Sequence, residues 1–220
     1  MSARRQRQMC IRDRYNTALN GNCGAFCTSL SIIRKCNIEY NVAHKNGGFA
    51  YSLKSFYAMI DILDTRMISN NAIHGSGGGI WIHNVSLSNG LLLNVMSSIF
   101  NDNTAGIHGG IMYINDNNID IRISNSSMVS NKALLGDGGC ISSRSYINMN
   151  MTYNDITSNT AGNNGGCMSF DDNIEINIIN NIIKNNTASI SGGVIYANHS
   201  SRMPNPVSYT HLRAHETTDN

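Results

Sequence analysis

Three charged residues have types and spacing that could serve one catalytic site: Asp120, Arg122 and Glu175. Two carboxyl groups on either side of a sugar can act as general acid and general base in glycoside hydrolysis. If successive repeats of the chain stack as strands, Asp120 and Glu175 lie two strands apart, at about 9–10 Å. Because inverting glycosidases have about this separation at their upper limit, one hypothesis is a carbohydrate-active enzyme, either a polysaccharide lyase or a glycoside hydrolase.

The surroundings of these residues favour a solvated surface instead. We expect Arg122 to pair with Asp120 or Glu175, and the equivalent positions of neighbouring repeats hold mainly asparagine: Asn94, Asn148, Asn150 and Asn177. The sequence contains no Ser-His-Asp set, phosphate-binding loop or dinucleotide fingerprint, and its histidines lack metal-ligand spacing. We therefore expect a non-catalytic protein with no cofactor and no metal site.

Trp81, the single tryptophan, is the candidate for ligand binding. It stands between Ile80 and Ile82, directly after a pair of glycines. If the two isoleucines point into a core, strand alternation turns the indole outward, where it can stack on a sugar or contact a protein. The competing expectation is that the neighbouring stretch 83–90 covers it.

The elements that must position these residues repeat along the chain. An Asn-x-Ala motif recurs, with its asparagines at Asn41, Asn70, Asn103, Asn131, Asn159 and Asn186. A glycine pair follows each motif, and its second members are Gly48, Gly79, Gly110, Gly139, Gly166 and Gly193. These second glycines lie 27 to 31 residues apart, which is the range of repeat lengths typical of solenoids.

Apolar residues occupy every second position between these markers. Examples are Leu91, Leu93 and Val95 in one repeat and Ile119, Ile121 and Ile123 in the next. This period of two predicts strands with one buried face. Repeats of this length with three strands each predict an all-β fold, a single-stranded right-handed parallel β-helix of about six to seven coils.

The marker residues themselves suit the corners of such coils. Glycine adopts the positive φ of a sharp turn without steric cost, and asparagine tolerates left-handed geometry while it bonds the local backbone. Stacked in register, the asparagines from Asn41 to Asn186 would form a ladder in which each amide donates to the next. We therefore assign structural roles to the repeated asparagines and glycines.

The cysteines offer weaker evidence for chemistry. Cys140 and Cys167 occupy the same slot of adjacent repeats and are expected to be small buried hydrophobic residues. The alternative is a disulfide across the two coils. Cys23, Cys27 and Cys36 lack the paired spacing of a zinc site.

The repeated markers resemble a known family. FNDN at residues 100–103 and GGVI at residues 192–195 are similar to the repeats of polymorphic outer membrane proteins, which occur in bacterial autotransporter passengers and in repeat-rich protist proteins. The resemblance covers about residues 15–197, although Ile or Met replaces Phe in the other copies. It implies a secreted or cell-surface β-helix with an adhesive role, whose partner is an extracellular glycan or a protein on a host or neighbouring cell. It transfers no catalytic residue.

Two terminal segments are set aside from the fold assignment. QMCIRDR at 8–14 and PVSYTHL at 206–212 can be translated from one DNA sequence and its reverse complement. Because the pair resembles a translated transposon end from a sequencing library, we expect 1–14 and 206–220 to be artefacts. Residues 15–205 are then one repeat domain, truncated at both ends, whose open strand edges are expected to promote association.

The overall charge does not indicate a nucleic-acid partner. The chain carries a net charge of +2, from 16 Lys and Arg against 14 Asp and Glu. Six of the arginines and three of the carboxylates lie in the terminal segments, which leaves 10 basic and 11 acidic residues. No apolar run reaches the roughly 18 residues of a membrane-spanning helix.

Overall fold

The computed structural model describes residues 12–27, 32–53, 59–83, 91–115, 119–144, 147–171, 174–198 and 208–210. Every regular element within these ranges is a β-strand. No helix long and apolar enough to cross a membrane is present among them.

The strands form four sheets of seven parallel strands each, which we name A to D. Sheet A contains Arg12–Arg14, Asn37–Glu39, Arg66–Ile68, Ile99–Asn101, Ser127–Val129, Asp155–Thr157 and Ile182–Lys184. Sheet B contains Thr17–Ala18, Val42–Ala43, Asn71–Ala72, Thr104–Ala105, Lys132–Ala133, Thr160–Ala161 and Thr187–Ala188. Sheet C contains Phe26–Cys27, Ala50–Leu53, Ile80–His83, Met112–Asn115, Ile141–Ser143, Met168–Phe170 and Ile195–Ala197. Sheet D contains Ile32–Arg34, Met59–Leu63, Leu91–Met96, Ile119–Ser124, Ile147–Thr152, Ile174–Ile179 and Ser208–Thr210.

Each coil contributes one strand to every sheet, and each strand pairs with its counterpart one coil away. The fold is therefore a parallel β-solenoid of about six turns, which confirms the predicted all-β parallel β-helix. The sequence predicted three strands per coil, whereas the structure has four. The additional strand is the two-residue element of sheet B, which lies within the Asn-x-Ala motif.

The core runs through the centre of the coils and is built from stacked files of aliphatic side chains. In sheet D, Leu93, Ile121 and Met149 are in register on adjacent strands, and each is fully buried. Phe100 and Phe170 are the largest fully buried side chains among the described residues. Burial of an aliphatic side chain of this size stabilises a fold by about 1.5–3 kcal/mol, so these files hold the coils together.

The corner between sheets A and B carries the asparagine ladder. Asn103 Nδ2 donates to Asn131 Oδ1 at 3.0 Å and to the Met67 carbonyl oxygen at 2.9 Å. Asn103 Oδ1 in turn accepts from the Asn70 side chain at 3.0 Å and from its backbone N–H at 3.1 Å. The same amide-to-amide bond links consecutive ladder asparagines from Asn16 to Asn186.

Left-handed backbone at this corner falls on the residue before the ladder asparagine, not on the asparagine as the sequence suggested. Examples are Tyr40, Ser69 and Asp102, with φ between 54° and 58°. The asparagine itself is freed to point its amide along the ladder. Its role is thus hydrogen bonding between coils, and its neighbour makes the turn.

The two glycines of each pair have different roles. The first has a positive φ, for example 66° at Gly109. The second is required by close approach, because a Cβ on Gly110 would lie 2.1 Å from the Gly139 carbonyl oxygen of the next coil. Only a residue without a side chain permits that backbone contact.

In one coil, the stacked glycine lies one residue before the predicted position. Gly78, rather than Gly79, stacks between Gly48 and Gly110, because a Cβ on Gly78 would lie 2.2 Å from the Gly110 oxygen. The Gly79 carbonyl instead accepts from the Phe49 N–H, and the Gly79 N–H donates to Ile111. Gly79 therefore takes the position that holds an apolar residue in the neighbouring coils.

The corner between sheets D and A has a second ladder that the sequence analysis did not single out. The backbone N–H of Thr65 donates to Ser98 Oγ at 3.2 Å, and that of Ser126 donates to Asn154 Oδ1 at 2.9 Å. These small polar side chains are buried. They satisfy backbone groups that would otherwise lie unpaired between coils.

Parts of the terminal segments that we set aside also pair with the sheets. Arg12–Arg14 pairs with Asn37–Glu39, and Ser208–Thr210 pairs with Asn177–Ile179. The origin of these segments as sequencing artefacts stays a prediction.

Candidate functional site

Asp120, Arg122 and Glu175 lie on the outward face of sheet D. Asp120 is in register with Asn148, which is in register with Glu175, so the two carboxylates stand two strands apart in one row. Arg122 belongs to the adjacent row. The register is the one that the sequence spacing predicted.

All three side chains are exposed on that face. No ion pair joins Arg122 to Asp120 or Glu175 in the part of the chain that the structure describes. The row of Arg122 contains hydrogen bonds donated by asparagine side chains. Asn94 Nδ2 donates to Asp61 Oδ1 at 2.9 Å, and Asn177 Nδ2 donates to Asn150 Oδ1 at 3.2 Å. The face therefore presents separate polar side chains on an open sheet.

Trp81 lies on the outward face of sheet C and is half-buried. Its ring is nearly parallel to that of Tyr113 on the next strand, at 7° with centroids 6.4 Å apart. It is also nearly parallel to that of His83 on its own strand, at 20° and 4.9 Å. Residues 84–90, which we expected to cover the indole, lie outside the described residues.

His108 extends this group at the corner that precedes the sheet C strand. Its ring is nearly parallel to that of Tyr113, with centroids 5.6 Å apart. We call His83, Trp81, Tyr113 and His108 the aromatic row. Tyr113 itself is buried, with 6% of its surface exposed, so the surface that can stack on a flat partner comes from the half-buried rings of Trp81, His83 and His108.

The protonation state of His108 follows from its contacts. Nδ1 accepts the Asp137 backbone N–H at 3.0 Å and lies 3.3 Å from a carboxylate oxygen of the same residue. Burial lowers the pKa of His108 below its ordinary 6.5, and the opposing effect of the Asp137 carboxylate is smaller. An Nδ1 that accepts a hydrogen bond carries no proton, so the neutral ring is protonated on Nε2.

Charged residues adjoin the row beside Tyr113. Burial raises the pKa of Tyr113, and the charge of Arg144 acts in the opposite direction. Arg144 Nε lies 3.6 Å from an Asp171 carboxylate oxygen, and both side chains are about half-exposed. The row is thus bordered by an accessible ion pair that can exchange its internal contact for one with a ligand.

Polar contacts also border the row at His83. Asn115 Nδ2 lies 3.2 Å from His83 Nδ1, and the Asn115 carbonyl oxygen lies 3.3 Å from the same nitrogen. No group of three or more His, Cys, Asp or Glu side chains placed to hold a metal ion is found among the described residues. The chemistry that the site offers is stacking and hydrogen bonding.

The five cysteines among the described residues are either buried or joined in a disulfide. Cys140 and Cys167 are free and fully buried, as expected for small hydrophobic residues. Burial raises the pKa of the Cys140 thiol, and a hydrogen bond with Cys167 adds to that effect. Cys23 and Cys27 form a disulfide that the sequence analysis did not consider.

Sequence reasoning identified Trp81 and missed its neighbours. The signal was present, because Trp81 follows the positive-φ glycine Gly77 by four residues and Tyr113 follows Gly109 by the same interval. The sequence pattern aligned Gly79, rather than Gly78, with Gly110, and this shift of one residue concealed that Trp81 and Tyr113 occupy equivalent positions. His108, directly before Gly109, is one of the histidines whose spacing indicated no metal site.

No protein-family model, curated protein or solved structure matches the chain.

Proposed function

We propose that the chain is a non-catalytic, adhesin-like β-helix scaffold that binds a glycan or a protein through the aromatic row. The observation that carries this proposal is the contrast between the row and the rest of the coil. The ladder amides and the stacked glycines recur from coil to coil with structural roles, whereas the slot that Trp81 and Tyr113 share is filled by Ser142 and Ser169 in the two coils that follow. Specific binding requires residues of the second kind.

The residue types of the row support a binding role. Trp and Tyr are enriched among the residues that contribute most to protein interfaces, and their rings also suit sugar faces. Arg144 and Asp171 add exposed hydrogen-bonding groups beside them. A half-buried Trp81 is held in place and still has surface to offer.

A secreted or cell-surface location is part of the same proposal. The Cys23–Cys27 disulfide supports it, because disulfides persist mainly in oxidising compartments. The similarity of the repeats to those of polymorphic outer membrane proteins supports it as well.

The proposal is tested by binding of the purified chain to a glycan array and to intact cells. We expect Trp81→Ala to weaken binding by about tenfold, the effect of losing one well-placed aromatic contact. Tyr153→Ala is the matched control, because Tyr153 is 62% exposed at a different corner. Unchanged binding by the Trp81 variant would refute the role of the row. Treating the cells with glycosidase or protease distinguishes a glycan partner from a protein.

The enzyme hypothesis has a separate test. If Asp120 and Glu175 act as an acid–base pair, the chain releases reducing or unsaturated ends from some member of a polysaccharide panel. That release should vanish in both Asp120→Asn and Glu175→Gln. We expect no such release, and its detection would replace the scaffold proposal with the enzyme.

A further inference from the structure

A line of exposed aliphatic side chains follows the corner between sheets B and C. Their exposed fractions range from 38% to 77%, and we call them the tip ridge: Leu19, Ile73, Ile107, Leu134, Leu135 and Ile190. They occupy the corners that follow five of the seven sheet B strands, as the bonds from Ile73 N–H to Ala43 and from Leu134 N–H to Ala105 show. Coil spacing is about 4.8 Å, so the ridge runs lengthwise along the solenoid.

Exposed apolar patches of this kind mark interaction surfaces. Ile73, Ile107, Leu134 and Leu135 lie at the same corner of three consecutive coils. None of the repeat's structural roles requires them, because the equivalent corners of other coils hold polar residues or glycine, such as Asn163 and Gly162. We therefore expect the tip ridge to bind a partner.

The charge around the ridge is one-sided. Lys45 and Lys132 are exposed beside it. Across the sheet B strands and their following corners, the only carboxylate is that of Asp137, which is 18% exposed and accepts bonds from Asn164. The chain as a whole is almost balanced in charge, so this face is locally basic and suits an anionic partner.

The shape of the tip ridge favours a lipid surface over a rigid protein as the anionic partner. It is a convex corner whose side chains project outward, with Leu135 75% exposed. A rigid protein would need a matching groove along the whole corner, whereas a fluid lipid surface adapts to a projecting row of aliphatic tips. Aliphatic tips beside lysines are the combination that holds proteins at anionic membrane interfaces.

We propose that the tip ridge docks the solenoid lengthwise on an anionic lipid surface. The leucine and isoleucine tips enter the boundary between head groups and acyl chains, and Lys45 and Lys132 lie near the lipid phosphates. This role goes beyond the proposed glycan or protein binding and uses a different part of the coil. Trp81 variants should leave it intact.

The test is flotation of the full chain with vesicles of phosphatidylcholine, with and without phosphatidylglycerol, at low salt. We expect binding only when phosphatidylglycerol is present, and less binding as sodium chloride screens the lysines. Leu134→Ser combined with Leu135→Ser should reduce the affinity by about tenfold or more, since two inserted side chains are lost. The matched control is Ile182→Ser, which removes a side chain that is 59% exposed on sheet A.

Three results would overturn the proposal. The first is failure to float with phosphatidylglycerol vesicles. The second is binding that the double serine variant leaves unchanged, which would assign it to the arginines of residues 1–14. The third is no vesicle binding together with self-association that the double variant abolishes in analytical ultracentrifugation. That outcome would assign the ridge to a second copy of the chain.

Discussion

Asn131 shows why an asparagine recurs between sheets A and B. Its Nδ2 donates to the Phe100 carbonyl at 2.8 Å and to Asn159 Oδ1 at 3.0 Å. Its Oδ1 accepts from the backbone and the side chain of Asn103. The side chain is fully buried, and only a short amide supplies two donors and an acceptor within one coil spacing.

Replacing Asn131 with alanine should therefore destabilise the fold strongly. The substitution removes the partner of both Asn103 donors and of the Phe100 carbonyl where water does not reach, and it leaves Asn159 Oδ1 with only the backbone N–H of residue 131. We expect a loss of about 3 kcal/mol in the free energy of unfolding, measured by urea denaturation.

Asn148→Ala is the control for this substitution. Asn148 points outward from sheet D and is half-buried, so its loss should change the free energy by no more than about 0.5 kcal/mol. Equal effects of the two substitutions would contradict the structural role of the ladder.

His108 makes the folded chain less stable as the pH falls. Its pKa is lowered in the folded chain, so the unfolded chain binds the proton more readily. The neutral ring contributes stability above pH 6.5, and this contribution is lost as the pH falls through the lower pKa of the folded state. Protonation also ends acceptance of the Asp137 N–H.

We expect acidification to lower the urea midpoint, with a shallower pH dependence in His108→Gln. The emission of Trp81, the only tryptophan, should report the transition because its ring adjoins Tyr113, which adjoins His108. A midpoint with the same pH dependence in both proteins would show that another group is responsible.

At the level of the strands, the second glycine of a pair lies where a Cβ would collide with the backbone of the next coil. A Cβ at Gly139 would lie 2.1 Å from the Gly166 carbonyl oxygen, and backbone cannot move aside cheaply. Gly139→Ala should cost at least about 3 kcal/mol, and soluble yield and urea denaturation would measure the loss.

Gly21→Ala provides the comparison. A Cβ at Gly21 meets no atom within 4 Å, and this glycine has no positive φ. The variant should retain the stability of the parent within about 1 kcal/mol. A Gly139 variant as stable as the Gly21 variant would show that the coils do not approach this closely.

The long strands could be predicted from sequence, whereas the short ones could not. Sheet D strands such as Leu91–Met96 span six residues, enough for alternation to be seen. The sheet B strands have two residues each, so no period can appear in them. Three consecutive glycines at 77–79 allowed two alignments, and only hydrogen bonds to neighbouring coils choose between them.

Prediction of the candidate site had a similar limit. Alternation turned Trp81 outward, which is where the structure has it. The association of Trp81 with Tyr113 depends on register across 32 residues of chain, and one displaced glycine was enough to conceal it. Side-chain rotation at His108 is set by contacts with Asp137, which the sequence spacing alone does not reveal.

For the whole molecule, the stacking of coils gives each side of the solenoid its own composition. Sheet D presents scattered polar side chains, sheet C presents the aromatic row, and the corner between sheets B and C presents the tip ridge. Neighbouring coils interact only with each other, so residues far apart in sequence gather along one side. The two proposed binding surfaces depend on this stacking.

In-register stacking is most directly tested by the distance between two spin labels in one outward row. Asp61, Asn94, Arg122, Asn150 and Asn177 follow one another on adjacent strands of sheet D. Labels at Asp61→Cys and Asn177→Cys, with Cys10 replaced by serine, are separated by four coil spacings. Pulsed electron paramagnetic resonance should give a narrow distribution of label-to-label distances. After allowance for the linkers, it should correspond to about 19 Å between the two Cα atoms. A broad distribution centred well beyond that distance would contradict the solenoid.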